Sequence, residues 1–186
     1  MVANELHLLS LWQPWASLIA FGLKHYETRS WNTNYRGKVA IQAAKRPIDP
    51  IELGRLSFDL HAAGVSDLSI LSNLPFGCIV AVVRLASCRE MWDSQIYGPL
   101  MPPHRRGIDI ASISALEKAV GDWQEGRFAW EQADIRPIAE PILCKGAQGL
   151  RVIRDEAVLT AIEQQLALTD SIEQQLQAIE EVASNA

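Results

Sequence analysis

The spacing of apolar residues along the chain predicts an alternation of short strands and helices. A first strand is predicted over residues 6–11 and a short helix over residues 13–22. Pro14 suits the first position of that helix, and Gly22 suits the left-handed residue that ends it. Between them lies an apolar stripe at helical spacing, formed by Trp15, Leu18, Ile19 and Phe21.

The rest of the chain continues this mixed pattern. The longest apolar run, residues 76–91, predicts a central strand because β-branched residues dominate it without polar alternation. A long helix is predicted over residues 155–183. The remaining pattern predicts strands over residues 24–31, 38–44, 127–138, 140–146 and 149–153, and helices over residues 49–61, 66–74 and 112–123.

Charge is divided unevenly along the chain, whose net charge is −5. Seven of the 22 acidic residues and none of the 17 basic residues lie in residues 155–186. Residues 1–154 therefore carry +2, which permits contact with nucleic acid but is far from a strongly basic domain. This change in composition predicts a globular domain over residues 1–154 and an acidic C-terminal helix over residues 155–186.

Cysteine use and the N-terminus favour a cytoplasmic protein. The three cysteines show no C-x-x-C spacing for zinc, and they are typical of a reducing compartment. The N-terminus lacks the basic start of a signal peptide, and no apolar run approaches the roughly 18 residues of a membrane span. The sequence contains no phosphate-cradling, dinucleotide-binding or metal-ligand motif, so we expect neither a cofactor nor a metal.

The strongest candidate chemistry follows the first helix. The strand predicted over residues 24–31 places Glu27 and Arg29 on one face, because successive side chains of a strand alternate. Lys24 precedes them, and its ammonium has three donors for a phosphate or a developing oxyanion. Plainer interpretations exist: a lysine is favoured near a helix C-terminus, and Glu27 with Arg29 can form a surface ion pair worth under about 1 kcal/mol.

These residues belong to a pattern that a known family shares. The pattern G-x-K-x-x-E-x-R, which resembles the ASCH domain of the PUA-like superfamily of small β-barrels, is formed by Gly22, Lys24, Glu27 and Arg29. The later segments GRFAWEQADIRPIAEPILCKG and AQGLRVI agree, and the resemblance covers most of residues 6–153. It implies an α+β fold, a PUA-like mixed β-barrel over residues 1–154 with flanking helices and a C-terminal helical extension.

The resemblance and the residue types together suggest how a ligand is held. Lys24 and Arg29 are the expected cations at a phosphate, and Glu27 is the expected general acid or base. Trp12 and Trp31 are expected to stack a base, whereas Trp15 is expected in the core. Further ligand contacts, each equally compatible with an ordinary surface or turn role, are predicted for Lys45, Arg46, Lys145, Gln148, Arg105 and Arg106.

These expectations favour an RNA or nucleotide site in a cleft beside the first helix. If the site is catalytic, hydrolysis of single-stranded RNA fits best, because RNA carries its own 2′-hydroxyl nucleophile. Cleavage would then need only a base, Glu27, and cations on the phosphate. Whether the protein is an enzyme stays open at this point, with a ribonuclease-like hydrolase favoured.

Three alternatives also stay open. A recognition module would bind RNA or a modified base without turnover, and an adaptor would recruit a protein partner or form a homodimer through the acidic C-terminal helix. Some ASCH proteins carry threonine where this chain has Glu27, and these are associated with amide hydrolysis of an acetylated cytidine nucleoside. A lysine that acts as base must be neutral, and a neighbouring carboxylate favours its charged form, which argues against that activity here.

Overall fold

The computed structural model describes residues 5–97 and 107–184; Arg105 and Arg106 lie outside these ranges. The described strands are β1 (His7–Leu11), β2 (Tyr26–Arg29), β3 (Gly37–Ala43), β4 (Cys78–Trp92), β5 (Ile108–Asp109), β6 (Phe128–Leu143) and β7 (Leu150–Val152). The described α-helices are α1 (Trp15–Ala20), α2 (Pro50–Ala62), α3 (Ser94–Tyr97), α4 (Ala115–Val120) and α5 (Glu156–Ser184).

The strands form one mixed sheet in the order β2-β6-β4-β3-β1-β7, and β5 pairs with β4 at its side. β1 runs parallel to β3 and β5 runs parallel to β4, whereas the other pairs are antiparallel. The outer strands β2 and β7 are short and are not neighbours, so the described strands form an open sheet. The predicted closed barrel is therefore wrong, the α+β class is confirmed, and the PUA-like assignment stays a prediction.

The two longest strands form the centre of the sheet. β4 develops from the apolar run predicted to be a central strand. The two strands predicted over residues 127–138 and 140–146 are instead the single strand β6. Its register against β4 shifts at three places, and Asp134 adopts a φ of 50°. Such irregularities bend a strand without ending it, so β6 continues through residue 139, where the two predicted strands were separated.

Four of the five predicted helices are present, and two of these four are shorter than expected. Gly22 follows α1 with a φ of 71°, the left-handed conformation predicted for the residue that ends the helix. α2 matches its prediction within one residue, and the Asp49 side chain accepts the N–H of Ile51 at 2.8 Å as an N-cap. The helix predicted over residues 66–74 is reduced to a 3-10 turn at Ser69–Leu71.

Apolar side chains pack on both faces of the sheet. Along β3, Val39 and Ile41 enter the core beneath α1, and Ala40 enters the core beneath α5, as strand alternation requires. A third cluster joins three helices through Leu18, Leu56, Leu60 and Val120. This third cluster holds α4 beside α1, and it determines where the candidate site forms.

The acidic helix α5 packs on the sheet through its N-terminal half. Ile162 is 2% exposed within the core beneath this helix. Arg136 of β6 donates to the carbonyl oxygen of Leu166 at 2.7 Å and pairs with Asp170. Beyond Asp170 the described side chains of α5 are exposed. Among the described helices, none has both the length and the apolar content needed to cross a membrane.

Replacement of Ile162 by alanine tests this packing of α5. We expect the free energy of unfolding to fall by roughly 2–5 kcal/mol, because the change leaves a cavity beneath the helix. Ile172→Ala is the matched control, since Ile172 is 48% exposed and its loss should cost less than about 0.5 kcal/mol. Urea unfolding of the full chain measures both values, and equal small losses would contradict the packing of α5 on the sheet.

Candidate functional site

A cleft of about 580 Å³ opens between α1, β2 and the C-terminal end of α4. We call it the motif cleft, because it contains three charged residues of the predicted pattern. The helical cluster around Leu18 and Val120 supports one side, and the end of β1 borders the other. Its lining includes the predicted residues Trp12, Lys24, Glu27 and Arg29, together with Ser10, Thr28, Asp122 and Arg127.

Lys24 lies at the floor of the motif cleft and is only 1% exposed. Its Nζ donates to the carbonyl oxygens of Tyr26 at 2.6 Å and Val120 at 2.9 Å, and it lies 3.7 Å from Oε2 of Glu27. The backbone N–H of Lys24 donates to the carbonyl oxygen of Leu18 at 3.2 Å. One residue therefore joins α1, β2 and α4, and Lys24 is not an exposed surface lysine.

Glu27 and Arg29 lie side by side, as their spacing predicts. Nε of Arg29 is 3.0 Å from Oε1 of Glu27, an ion pair that lacks the angle of a hydrogen bond. Nη2 of Arg29 donates to the carbonyl oxygen of Ser10 at 3.4 Å. The side chain of Glu27 is 11% exposed, so this pair is shielded from water and differs from an ordinary surface ion pair. Glu27 thus lies between two cations.

Burial lowers the pKa of Lys24, and the attraction of Glu27 and Glu117 opposes this shift without reversing it. This direction differs from the expectation that Glu27 keeps Lys24 charged. The reason is that loss of the ammonium's hydration outweighs its attraction to a carboxylate 3.7 Å away. Lys24 therefore loses its proton at a lower pH than an exposed lysine does.

Trp12 lines the motif cleft, and Arg46, which is not in the lining, packs against it; we call these two residues the rim. Cζ of Arg46 lies 3.6 Å from the centroid of the Trp12 ring, a cation–π contact. Trp12 nevertheless remains 53% exposed. Trp15 is half-buried, and it both lines the cleft and packs against the helical cluster. Trp31 lies away from this lining and meets Trp130 edge to face at 4.5 Å between ring centroids.

Besides Trp31, three further predicted ligand residues lie away from the motif cleft. Lys45 and Lys145 border a second cleft of about 640 Å³, together with the buried side chain of Gln42. Gln148 is exposed, and its carbonyl oxygen accepts a hydrogen bond from Nε of Arg151 at 3.1 Å. The structure therefore assigns Lys45 and Lys145 to the second cleft, whereas Gln148 and Trp31 line neither of the two.

One wall of the motif cleft has no signal in the local sequence. The N–H of Asp122 donates to Oγ1 of Thr28 at 3.0 Å, and Nη2 of Arg127 donates to the Thr28 carbonyl oxygen at 3.2 Å. Arg127 and Asp122 also form an ion pair at 3.4 Å. These residues are about 95 positions apart from Thr28 in the chain, and no local pattern marks them as its neighbours.

Glu117 is a second residue that no sequence pattern assigned to the site, and it binds the backbone next to Lys24. It is 7% exposed, and its Oε1 accepts the backbone N–H of His25 at 2.6 Å. The spacing Ser114-x-x-Glu117 is a capping-box signal, and Oγ of Ser114 does accept the N–H of Glu117 at 3.2 Å. That signal could have located the start of α4, but it says nothing about the contact with His25.

The motif cleft therefore offers a shielded carboxylate between two cations, with an aromatic ring and a guanidinium at the rim. A carboxylate in such a place can accept or return a proton, and the cations can stabilise an anion. Among residues 5–97 and 107–184, no three His, Cys, Asp or Glu side chains are grouped as a metal site would require.

The family model described as the ASCH domain matches residues 9–141, more than half of the chain. The chain therefore belongs to the ASCH domain family, as its G-x-K-x-x-E-x-R pattern predicts. The match includes α1, β2 and α4, the elements that form the motif cleft.

Curated relatives and solved structures add two comparisons. Proteins named Activating signal cointegrator 1, from Homo sapiens and Mus musculus, are each 36% identical over 80 residues, which cover 43% of this chain and 14% of the relative. The chain thus matches only a small part of their length. A crystal structure of ASCH from Zymomonas mobilis is 16% identical with a TM-score of 0.47, covering 87% of this chain and 96% of that chain. The crystal structure of a mutant of that protein is 15% identical with a TM-score of 0.46, covering 86% of this chain and 97% of that chain.

Replacement of Lys24 by methionine tests the structural role of the buried ammonium. The variant keeps a long side chain but loses every N–H donor of that side chain. The carbonyl oxygens of Tyr26 and Val120 and the carboxylate of Glu27 therefore lose a partner. We expect the free energy of unfolding to fall by roughly 3–5 kcal/mol, as for other broken buried pairs. Lys118→Met, at an exposed lysine of α4, should change it by less than about 0.5 kcal/mol. Chemical denaturation provides the measurement, and similar values for both variants would contradict this role.

Proposed function

We propose that the protein binds RNA or a nucleotide in the motif cleft. The observation that carries this proposal is the rim, where Trp12 stays 53% exposed although Arg46 stacks on its ring. An exposed tryptophan can stack a nucleobase of any kind, and a guanidinium beside it can bind phosphate. Glu27 and Arg29 would then meet the part of the ligand that enters the cleft.

The size of the motif cleft supports this class of ligand. Its volume of about 580 Å³ falls within the roughly 300–1,000 Å³ of sites that hold small organic ligands. The charged groups of its lining balance, three basic and three acidic: Lys24, Arg29, Arg127, Glu27, Glu52 and Asp122. Arg46, stacked on Trp12, adds positive charge beside the cleft. A ligand with a flat ring and a phosphate is complementary to these groups.

The three charged residues of the motif have different roles in this proposal. Lys24 is a positioning residue, because its Nζ already donates to two backbone carbonyls and is almost fully buried. Arg29, whose side chain is 28% exposed, is the cation that reaches the ligand. Glu27 lies between them and is the acid–base group of the cleft.

In RNA cleavage we assign the role of base to Glu27. It would take the proton of the 2′-hydroxyl, and O2′ would bond to the neighbouring phosphorus as the P–O5′ bond breaks. A water molecule would give its proton to the leaving O5′ and take back the proton held by Glu27, so the products are a 2′,3′-cyclic phosphate and a 5′-hydroxyl. Arg29 would offset the negative charge that develops on the phosphate. A recognition module would use the same contacts without this step.

The base-stacking role of Trp12 is tested by Trp12→Ala. Loss of one stacked base, roughly 1–3 kcal/mol, should weaken binding of a short single-stranded RNA by about 5- to 150-fold. Phe58→Ala is the control, because Phe58 is an aromatic residue 73% exposed on α2 and outside the motif cleft. Fluorescence anisotropy with labelled RNA measures both affinities. Equal affinities for wild type and Trp12→Ala would contradict the proposed rim.

A second candidate activity is amide hydrolysis of an acetylated cytidine nucleoside. The observation in its favour is that burial lowers the pKa of Lys24, which brings the neutral amine closer to physiological pH. The position of Glu27, where a threonine occurs in the proteins with that activity, still argues against it. The two activities differ in the residue that serves as base.

Both activities can be compared in one experiment with single-stranded RNA and N4-acetylcytidine as substrates. If RNA is cleaved, Glu27→Gln should abolish cleavage, because the amide cannot take a proton. If acetate is released, the rate should rise with pH through a pKa below 10.5, since Lys24 must be neutral and its pKa is lowered. Chromatography of the products distinguishes the two. An unchanged rate of RNA cleavage in Glu27→Gln would exclude the assigned base.

An adaptor role is the third candidate. Its support is an exposed apolar stripe on α5, formed by Leu168, Ile172 and Leu176, and the word cointegrator in the names of the curated relatives. Contact of α5 with a protein partner or with a second copy of the chain stays a prediction.

A further inference from the structure

Asp122 lines the motif cleft with a half-exposed carboxylate that none of the candidate activities uses. It lies two residues after Val120, the last residue of α4, whose carbonyl oxygen accepts a hydrogen bond from Nζ of Lys24 at 2.9 Å. Its own N–H donates to Oγ1 of Thr28 at 3.0 Å. The backbone around Asp122 is therefore attached to the floor of the cleft and to β2.

The side chain of Asp122 is also held in place. Oδ1 accepts a hydrogen bond from Nε2 of Gln124 at 2.6 Å, and Oδ2 lies 3.4 Å from Nε of Arg127. Arg127 is itself fixed, because its Nη2 donates to the carbonyl oxygen of Thr28 at 3.2 Å. The Asp122 side chain nevertheless stays 50% exposed. Because each carboxylate oxygen can accept more than one hydrogen bond, both oxygens can still bind a donor from a ligand.

The segment that carries Asp122 packs against α4. The indole Nε1 of Trp123 donates to the carbonyl oxygen of Glu117 at 2.7 Å. A Cβ at Gly121 would lie 2.6 Å from that Nε1, so the missing side chain lets the ring come this close. These contacts keep the carboxylate in one position before a ligand arrives, and such preorganisation lowers the cost of binding.

The exposed charges of the motif cleft are of both signs. Arg29 and Arg127 are 28% and 26% exposed, whereas Asp122 is 50% exposed. A phosphate that approaches Asp122 is repelled, and an N–H donor that approaches it is attracted. A complementary ligand therefore carries an anion for the arginines and hydrogen-bond donors for Asp122. A nucleotide meets both conditions when the edge of its base carries donors.

Guanine is the nucleobase whose edge best matches a carboxylate. Its N1–H and one N–H of its 2-amino group lie side by side, so they can donate in parallel to the two oxygens of one carboxylate. Adenine and cytosine have a ring nitrogen acceptor beside their amino group. Uracil has a single N3–H between two carbonyl oxygens. In these three bases an acceptor would face the carboxylate and be repelled by it.

We propose that Asp122 is a specificity-determining residue that selects guanine in the motif cleft. The base stacks on Trp12, which precedes α1, and donates its N1–H and N2–H to Asp122, which follows α4. Gln124 and Arg127 orient the carboxylate for this contact. In a single-stranded RNA, the nucleotide held in the cleft is then a guanosine. This inference rests on the proposed function, because it uses the same stacked base.

A comparison of nucleotides tests the proposal without a change in the protein. GMP and IMP differ only in the 2-amino group, so their affinities isolate one of the two hydrogen bonds. We expect GMP to bind at least about tenfold more tightly than IMP, because that bond is made to a charged acceptor. AMP and UMP should bind more weakly than GMP. NMR titration of the full ¹⁵N-labelled chain measures the four affinities, and equal values for GMP and IMP would overturn the assigned bonds.

Asp122→Asn is the matched test in the protein. The amide keeps the size of the side chain, but its NH2 group would face a donor of the guanine edge. We expect the preference for GMP over AMP to fall by about 5- to 150-fold, the range for one bidentate contact to a base. A general loss of structure would weaken both nucleotides alike and leave this ratio unchanged.

Asp134→Asn is the control for this substitution. Asp134 is also an exposed aspartate paired with an arginine, Arg84, and it lies outside the lining of the motif cleft. The control should keep the preference for GMP. An unchanged preference in Asp122→Asn would contradict the role of Asp122.

The outcomes separate this inference from the proposed function. Tighter binding of GMP that is weakened in Trp12→Ala supports both. Similar affinities for all four nucleotides, or a preference for another base, overturn the selection of guanine and leave the proposed function intact if Trp12→Ala weakens them. Absence of shifts in the motif cleft, with every nucleotide and with a single-stranded RNA that contains all four bases, overturns both.

Discussion

The position of the Lys24 side chain is the constraint on which the motif cleft depends. A buried ammonium is costly unless its donors have acceptors, and Nζ finds them in the carbonyl oxygens of Tyr26 and Val120, with Glu27 nearby. Val120 is 96 residues away in the sequence, so this contact brings the C-terminal end of α4 to the start of β2. Without it, the cleft would lose its floor and Glu27 would lose one of its two cationic neighbours.

The remaining contacts make that floor rigid and leave the rim adaptable. Glu27 pairs across the ladder with Trp130, which is fully buried, and the helical cluster around Leu18 holds α4 from the other side. Trp12 and Arg46, by contrast, are held mainly by each other at the surface. This division suits the proposed ligand, because base stacking tolerates small changes of ring position, whereas acid–base chemistry at Glu27 requires fixed distances.

Local patterns in the sequence predicted most of the helices and strands. Features that depend on contacts between distant residues were not predicted correctly. The glycine stop at Gly22, the helix predicted over residues 49–61 and the apolar run of β4 each depend on neighbours in the sequence, and the structure agrees with all three. Closure of a barrel depends on whether distant outer strands meet, which no local pattern reports. For the same reason the sequence grouped Lys45 and Lys145 with Lys24, although the structure assigns them to different clefts.

The burial of Lys24 changes how the family motif should be interpreted. A lysine with three ionisable neighbours and an aromatic bracket suggests direct contact with an anion, yet the structure directs its donors to backbone carbonyls. A substitution at Lys24 therefore removes the support of α4 and the environment of Glu27 at the same time. Loss of activity in such a variant would report the loss of the floor and would not identify a catalytic lysine. A residue whose substitution leaves the floor intact, such as Trp12 at the rim, can distinguish ligand contact from architecture.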